Sequence, residues 1–524
     1  MKKIIIVAFL IIVLSTYSVA FGANWYVDNQ ATGTNNGTSW ANAWTSFAKI
    51  VWGATGVKAG DTLYISGGSS SQTYNERISP KISGTAGMPI TIQVGQDYGH
   101  NGKVIIDLNY DIAKGSGIYI SGTSFIKVSG QVGTSNNCNI LVTRSYYNGI
   151  SLAGSVQNIE VSYVEATGNG YIAATHGILV SVTQQPNIGA IHHCIIHDNY
   201  DDEVWLYASA NGGTASAFGA FLFYNNEIYD WHADAVKMTL GGVDFYNNII
   251  RDRGIYKRDH PDGIQFWSSF VRISNNTMYN FIRTDTDINA NSYIRYNPGD
   301  QYTGDLNPRY VYIYNNVFYE TRAPQAAGMY FRGIEIAMSP ATLQSINYIY
   351  VVNNTIQGTP FTAINIELPN TLPADKVTNI VIQSNTIRDA CRKGVGSAVM
   401  ILGKSSTLTY GTSSIANVLV NNNQITASST VFLTDVSYGG TIMNYATFKT
   451  VSGLQQSELV TNISLPDPGM GTSYTITTVP TVTTTTAPTV TTTTAPAVTT
   501  TTAPKVTTTT TTKPKSTRGG WTIK

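Results

Sequence analysis

One phrase recurs seven times between Phe221 and Ile425: FYNNEI, FYNNII, ISNNTM, IYNNVF, VVNNTI, IQSNTI and VNNNQI. Each copy runs from an apolar alternation into asparagine and returns to an apolar residue two places on. Such self-similarity marks a solenoid, in which one unit cannot bury its apolar face alone and stacks on its neighbours. The second asparagines, Asn226, Asn248, Asn276, Asn316, Asn354, Asn385 and Asn423, lie 22, 28, 40, 38, 31 and 38 residues apart. The shortest interval approximates one bare coil. The longer ones predict loops that leave from the same few corners and gather on one face. Asparagine suits a corner because it tolerates left-handed dihedrals and its amide can pair with its copy in the next coil. These residues are therefore expected to form a structural ladder rather than to touch a ligand.

From about Leu63 onward the chain consists of short runs rich in Val, Ile, Tyr and Thr, punctuated by Gly, Asn, Ser and Asp, which is strand-and-turn chemistry. SGIYISG, YNGISLAG and HGILVSV read as earlier, degenerate coils of the same stack. Ahead of them, Thr38 and Ser39 can cap a short helix carrying Trp44, Phe47, Ile50 and Val51 at helical spacing, and Thr62 to Ser66 alternates as a strand. A helix there would plug the open end of a solenoid. This opening segment resembles the N-terminal cap of secreted right-handed parallel β-helix proteins. The resemblance implies an all-β fold, a right-handed parallel β-helix over residues 24–465 with an N-terminal capping helix.

Both ends read as something other than the stack. Lys2 and Lys3, the apolar run Ile4 to Leu14 and the small residues Ser18-Val19-Ala20 form a secretory signal peptide over 1–22, too short to span a bilayer. Cleavage is expected after Ala20 or Gly22, and a retained N-terminal anchor is the alternative. Near Leu465 the alternation stops. Residues 470–516 form a Thr/Pro-rich low-complexity linker in which Val482, Val490, Val498 and Val506 mark an eight-residue repeat. With almost no large apolar residues it cannot build a core, so an extended, disordered, semi-rigid stalk is expected, followed by a short tail over 517–524. The mature chain is expected to be a monomer with no membrane span, secreted or at the cell surface. A net charge of +1 with 12% charged residues gives no general attraction to nucleic acid or to an anionic membrane. Cys138, Cys194 and Cys391 are too few and too dispersed for a disulfide framework or a zinc knuckle. They read as buried small residues, with a Cys138 to Cys194 bridge as the alternative.

Ionisable residues concentrate between Tyr200 and Gln265, in YDDEVW, HADAVKM and HPDGIQFW. Aligning these on the residues expected to face the core, Val204, Val236 and Ile264, produces columns. Asp202, Asp234 and Asp262 fall two places before the core position. Tyr200, His232 and His260 fall two places earlier, and Trp205, Lys237 and Gln265 one place after. Extending the alignment through Ile294 adds Arg295 to the last column. Equivalent residues of adjacent coils stand about 4.8 Å apart. Two bare carboxylates at that distance repel by roughly 3 to 4 kcal/mol at an effective dielectric of about 20. A bound Ca²⁺ or raised pKa values would relieve that repulsion. His232 and His260 with a carboxylate are also donor types for a zinc site. A solvated polar ladder is the plainer alternative, since Asp before Gly is ordinary turn chemistry.

Across some thirty residues, HADAVKM followed by HPDGIQF resembles the family-9 pectate lyases and related polysaccharide lyases. In that family aspartates on adjacent coils bind Ca²⁺ and a lysine on the following coil removes a proton. Asp234 and Asp262 match its aspartates, whereas Pro261 and Gln265 stand where it has two more. Asp202 and Asp259 are the candidates to replace the missing ligands. Arg295 stands where the catalytic lysine is expected, and Lys237 competes because a guanidinium is a very poor base. The implied reaction is β-elimination on a uronate-containing polysaccharide, with Arg283 or Lys257 clamping substrate carboxylates and His232 or His260 protonating the leaving oxygen. A β-helix glycoside hydrolase would use the same carboxylates as general acid and base, although the NTD, GHG and RIK motifs of polygalacturonases are absent. A non-catalytic carbohydrate-binding or adhesin solenoid is the third reading, with 32 tyrosines and 8 tryptophans as stacking platforms.

Overall fold

The computed structural model describes residues 22–183, 186–208, 215–254, 261–281, 292–298, 305–321, 331–337, 343–368, 372, 374–390, 399–403, 418–421, 423–426, 436–438, 441–443, 462–467 and 472–477. The signal segment, Cys391 and the Thr/Pro-rich repeat lie outside them. Among the described residues no helix is long and apolar enough to cross a membrane. The described elements belong to one compact unit, Met1–Thr478.

Three long sheets run through the described residues from Asn24 to Met443. The first has 13 strands, from Asn24–Val27 to Val418–Asn421, and the other two have 12 each. The chain visits them in rotation. One turn takes Ile159–Ser162 in the first sheet, Val164–Thr167 in the second and Ile178–Val182 in the third, then returns to the first at Gly189–His192. Pairing between coils is parallel throughout, and crossovers between parallel strands of one sheet are right-handed. The fold is a right-handed parallel β-helix. Antiparallel pairs occur only late among the described strands, Val436–Tyr438 with Thr441–Met443 and Asn462–Asp467 with Thr472–Thr477.

Alternation along each strand sends every second side chain inward, and the register stacks like on like. In the first sheet Ile92, Val128, Val161, Ile191, Phe223, Phe245, Ile273, Ile313, Val351 and Ile382 form one fully buried file. Each such residue removes its apolar surface from water at about 25 cal/mol per Å². Stacking also supplies the contacts that a lone coil lacks.

The repeated phrase sits at the corner between the first and second sheets, and its two polar positions divide the work. The first residue takes the left-handed turn, with φ of 55° at Asn225, 56° at Asn247 and Asn275, 57° at Asn315, 54° at Asn353 and 56° at Ser384. The second residue points inward as a ladder. The backbone N–H of Asn226 donates to Asn248 Oδ1 at 2.9 Å, and the same bond recurs from Asn248 to Asn276 and onward to Asn423 at 2.8 to 3.0 Å. Each side-chain Nδ2 also donates to the next Oδ1 and to a backbone carbonyl. The polar corner is thereby satisfied without water. Cys194 occupies the next position up, its N–H bonded to Asn226 Oδ1, and both Cys138 and Cys194 are free buried thiols.

The N-terminal cap is helical for only one turn, the 3₁₀ segment Phe47–Lys49. The longer helix expected from Trp44 to Val51 does not form, because Trp44 spends its backbone on the strand beside it. Its N–H donates to Tyr26 and its carbonyl accepts from Asp28. The aromatic residues still close the end, with Trp25 stacked on Trp44 and Phe47 on Tyr74.

Candidate active site

The third sheet aligns Val204, Val236, Ile264, Ile294, Ile334 and Ile364 in one buried file. Their outward neighbours, Trp205, Lys237, Gln265, Arg295, Glu335 and Asn365, form a second file on the same register. Two places before the inward file, where each corner enters the sheet, stand Ser116, Asn148, His176, Asp202, Asp234, Asp262 and Ser292. All seven are buried. The register expected from the three acidic motifs is the register of the sheet.

Hydrogen bonds link this corner file from coil to coil. The N–H of His176 donates to Asn148 Oδ1 at 2.8 Å, that of Asp234 to Asp202 Oδ1 at 3.0 Å, and that of Asp262 to Asp234 Oδ1 at 2.8 Å. Ser292 Oγ donates to Asp262 Oδ1 at 3.1 Å and also lies 3.3 Å from Glu335 Oε2, bridging two carboxyl groups. The aspartates are therefore ladder members as well as acids. Burial, then the neighbouring charges of Asp202 and Asp262, pushes the Asp234 carboxyl well above the usual range. Burial likewise lifts Asp262 to about 7, with Arg295 pulling down and Glu335 pushing up. His176, whose Nδ1 is 3.5 Å from Asp202 Oδ2, is lowered to about 4 by burial.

Cations face these acids from the outward file. Lys237 Nζ lies 4.0 Å from Asp234 Oδ2 and over the rings of Trp205 and Trp267, at 5.6 and 5.9 Å from their centroids. Arg295 places Nη1 3.8 Å from Asp262 Oδ2 and Nε 3.5 Å from Glu335 Oε2. Arg332 adds a second contact to Glu335, 3.3 Å from Oε1. Lys237 and Arg295 thus meet Asp234 and Asp262 at one strip. His232 is turned elsewhere, its Nε2 3.4 Å from Asp198 Oδ1. Lys257, Asp259, His260 and Arg283 lie outside the described residues.

Glu335 was not among the residues singled out from the sequence. Its segment, FRGIEIA, carries arginine rather than aspartate two places before the core residue, so the acidic motif gives no signal. Carrying the alignment one coil past Arg295, through Ile334, would have found it.

Three of the four expected calcium ligands, Asp202, Asp234 and Asp262, are described, and Asp259 is not. In Asp202 and Asp234 one carboxylate oxygen is taken by a backbone N–H, and Lys237 and Arg295 approach the second oxygens of Asp234 and Asp262. Calcium takes six to eight oxygen ligands. Among the described residues no three His, Cys, Asp or Glu side chains form a group able to hold a metal ion.

The strip also carries polar atoms whose hydrogen-bonding capacity is unused. Asp262 Oδ2, Arg295 Nε, Arg332 Nε and both amide atoms of Asn365 are buried and make no hydrogen bond. Asn365 is 1% exposed. Each such group costs about 1 to 3 kcal/mol if nothing pairs with it, and here they fall on consecutive coils.

No family model matches the chain, and no curated protein matches it. Among solved structures it is similar to the GH136 lacto-N-biosidase from Eubacterium ramulus, with 10% identity and a TM-score of 0.46 over 74% of this chain and 66% of that one. It is also similar to an alginate lyase from Paenibacillus sp., with 16% identity and a TM-score of 0.36 over 56% of this chain and 93% of that one. Pectate lyase Pel9A is similar at 13% identity and a TM-score of 0.32, over 63% of this chain and 80% of that one. At these identities no side chain of the strip is carried over from them.

Proposed function

We propose that this protein is a secreted polysaccharide-active enzyme and that its site is the strip formed by Lys237, Asp262, Ser292, Arg295 and Glu335. The observation that carries the reading is the outward file of the third sheet, in which Lys237 and Arg295 stand beside the Asp234 and Asp262 carboxyls. Charged side chains spaced coil by coil suit a ligand laid along the helix axis, and a polysaccharide has that form.

Charge narrows the substrate. Burial raises the Asp234 carboxyl well above the usual range and Asp262 to about 7, while Lys237 and Arg295 stand beside them. The strip favours an anionic sugar, and a uronate supplies the carboxylate. We assign Lys237 and Arg295 as its clamp, because Lys237 sits over two indole faces that attract a cation and a guanidinium is a very poor base. Asp262, fully buried and faced by Arg295, becomes the base when that guanidinium turns to the substrate carboxylate, since a carboxyl titrating near the working pH is well matched to proton transfer. It takes the proton beside the uronate carboxylate, the glycosidic C–O bond breaks on the neighbouring carbon, a C=C bond forms between them, and the leaving oxygen takes a proton from water. Pairing the uronate carboxylate with fixed cations lowers the energy of the carbanion-like transition state.

A second reading rests on Ser292, which bridges Asp262 and Glu335. Two carboxyl groups with one coil between them, one of them shifted to about 7, also suit the acid and base of glycoside hydrolysis. Products separate the two. Incubation with pectate, alginate and glycosaminoglycans should release ends absorbing in the ultraviolet, characteristic of an unsaturated uronate. New reducing ends without that absorbance would replace elimination by hydrolysis, and no product on any polymer would remove both. Chelator should leave the rate unchanged, since the clamp assigned here is Lys237 and Arg295 rather than a metal ion.

A further inference from the structure

Most outward aromatic rings of this helix are spent on one another. Tyr224 and Tyr246 stack with planes 4° apart, as do Tyr279 and Tyr319, and His197 stacks on Tyr229 at 10°. Parallel rings at the strand spacing cover each other's faces and leave little for a ligand. The corner between the second and third sheets departs from this pattern. There Tyr110 and Tyr171 are tilted by 45°, Tyr146 and Tyr171 by 30°, and Tyr146 and Tyr147 by 89°. Tyr171 is 57% exposed and Tyr147 40%, and Ile172 beside them is exposed as well.

These residues come from successive coils held together by their backbones. Tyr110 N–H donates to Arg144 O, Tyr147 N–H to Gly115 O, Tyr171 N–H to Tyr146 O and Tyr200 N–H to Asn169 O. The next coil approaches closely: Gly170, at φ +87°, has no room for a side chain because a Cβ there would stand 2.4 Å from Thr175 Oγ1 and 2.8 Å from Tyr200 Cβ. The local charges are internally paired, Arg144 with Asp107 and Lys114 with Asp111. The file is continuous with the strip already described, since Tyr200 lies two residues before Asp202 on the same corner. From the coil of Tyr110 to that of Tyr200 is roughly 14 Å at the strand spacing.

We propose that Tyr110, Tyr146, Tyr147 and Tyr171 form a second glycan-binding surface, on which pyranose rings of the same polysaccharide stack before the chain reaches the strip. The ligand class is the apolar face of a sugar ring rather than its charge, because the rings are open and the charges around them are already paired. This surface rests on the polysaccharide reading of the strip and adds a holding function upstream of it.

Affinity electrophoresis of the full chain through gels containing polygalacturonate, alginate or chondroitin sulfate tests it. Wild-type protein should be retarded by at least one polymer. Y147A/Y171A should bind that polymer on the order of tenfold more weakly, the loss expected for removed aromatic stacking. Its rate on short oligosaccharides and its circular dichroism should not change, and Y147F/Y171F should retain binding. Retardation of the alanine variant equal to wild type would overturn this surface while leaving the strip to its own product assay. No retardation of wild type by any of the three gels would also overturn it, and product formation on those polymers would then show that the strip stands without it.

Discussion

Asp262 concentrates the chemistry of the site in one side chain: it is fully buried, bridged to Glu335 through Ser292 and faced by Arg295. D262N removes the titrating group with little change of shape and should lower turnover at least 100-fold, the usual scale for losing a general base. E335Q should lower it under hydrolysis but much less under elimination, so the two rate measurements, read with the product spectrum, assign the second carboxylate. With Asp262 as base the wild-type rate should rise with pH through about 7. A rate flat between mildly acidic and mildly alkaline pH would remove that assignment. The asparagine ladder makes a contrasting prediction. Asn276 donates from its backbone and from Nδ2 and accepts on Oδ1, all inside the stack. N276A should cost about 2 to 4 kcal/mol by urea denaturation, because it orphans several buried partners at once, while leaving the strip's chemistry in place.

At the level of elements, the sequence was most legible where neighbouring coils repeat. The register of Val204, Val236, Ile264 and Ile294 could be read by eye because alternation and turn residues recur, and the structure pairs those residues as aligned. Trp44 shows where local reading fails. Helical spacing was present, but pairing with Tyr26 and Asp28 claimed its backbone, and no local pattern reports a partner some sixteen residues away. Glu335 and Asn365 were missed for a different reason: their segments carry the outward file without the acidic motif that drew attention to the earlier coils. Tight packing between elements is equally invisible in the sequence. A Cβ on Gly263 would stand 2.4 Å from Phe281 Cε2 and 2.5 Å from the carbonyl oxygen of Tyr293. G263A should therefore cost about 1 to 3 kcal/mol and reduce activity by displacing the strand that bears Arg295, measurable as a lower melting temperature together with a lower rate.

For the molecule as a whole, two sets of carboxyl groups pull stability in opposite directions with pH. Glu160 and Glu165 are held at about 2, chiefly by hydrogen bonds from His192 and His197 and then by Lys127 and Lys103. A depressed carboxyl contributes stability above its ordinary value near 4.5 and loses it as pH falls toward 2. Asp234 and Asp262 are raised by burial, so their contribution is complete below about 3.8 and is lost as pH rises, for Asp262 through about 7. From these two sets thermal stability should peak at about pH 4 and fall on both sides of it, and D234N/D262N should flatten the limb above the peak. An unchanged limb would mean that the file is not where this pH dependence originates.

The upper end of the asparagine file offers a way to lengthen the fold's internal seam. Cys194 already imitates an asparagine there: its Sγ lies 3.3 Å from the His192 carbonyl and 3.9 Å from that of Val161, and it accepts from the backbone of Val164. A thiol makes these contacts weakly, whereas an amide makes them at full strength. C194N should raise the melting temperature by adding one rung, with no change in rate at a strip built on a different corner. Resistance to heat would then be adjustable one coil at a time, independently of the proposed site.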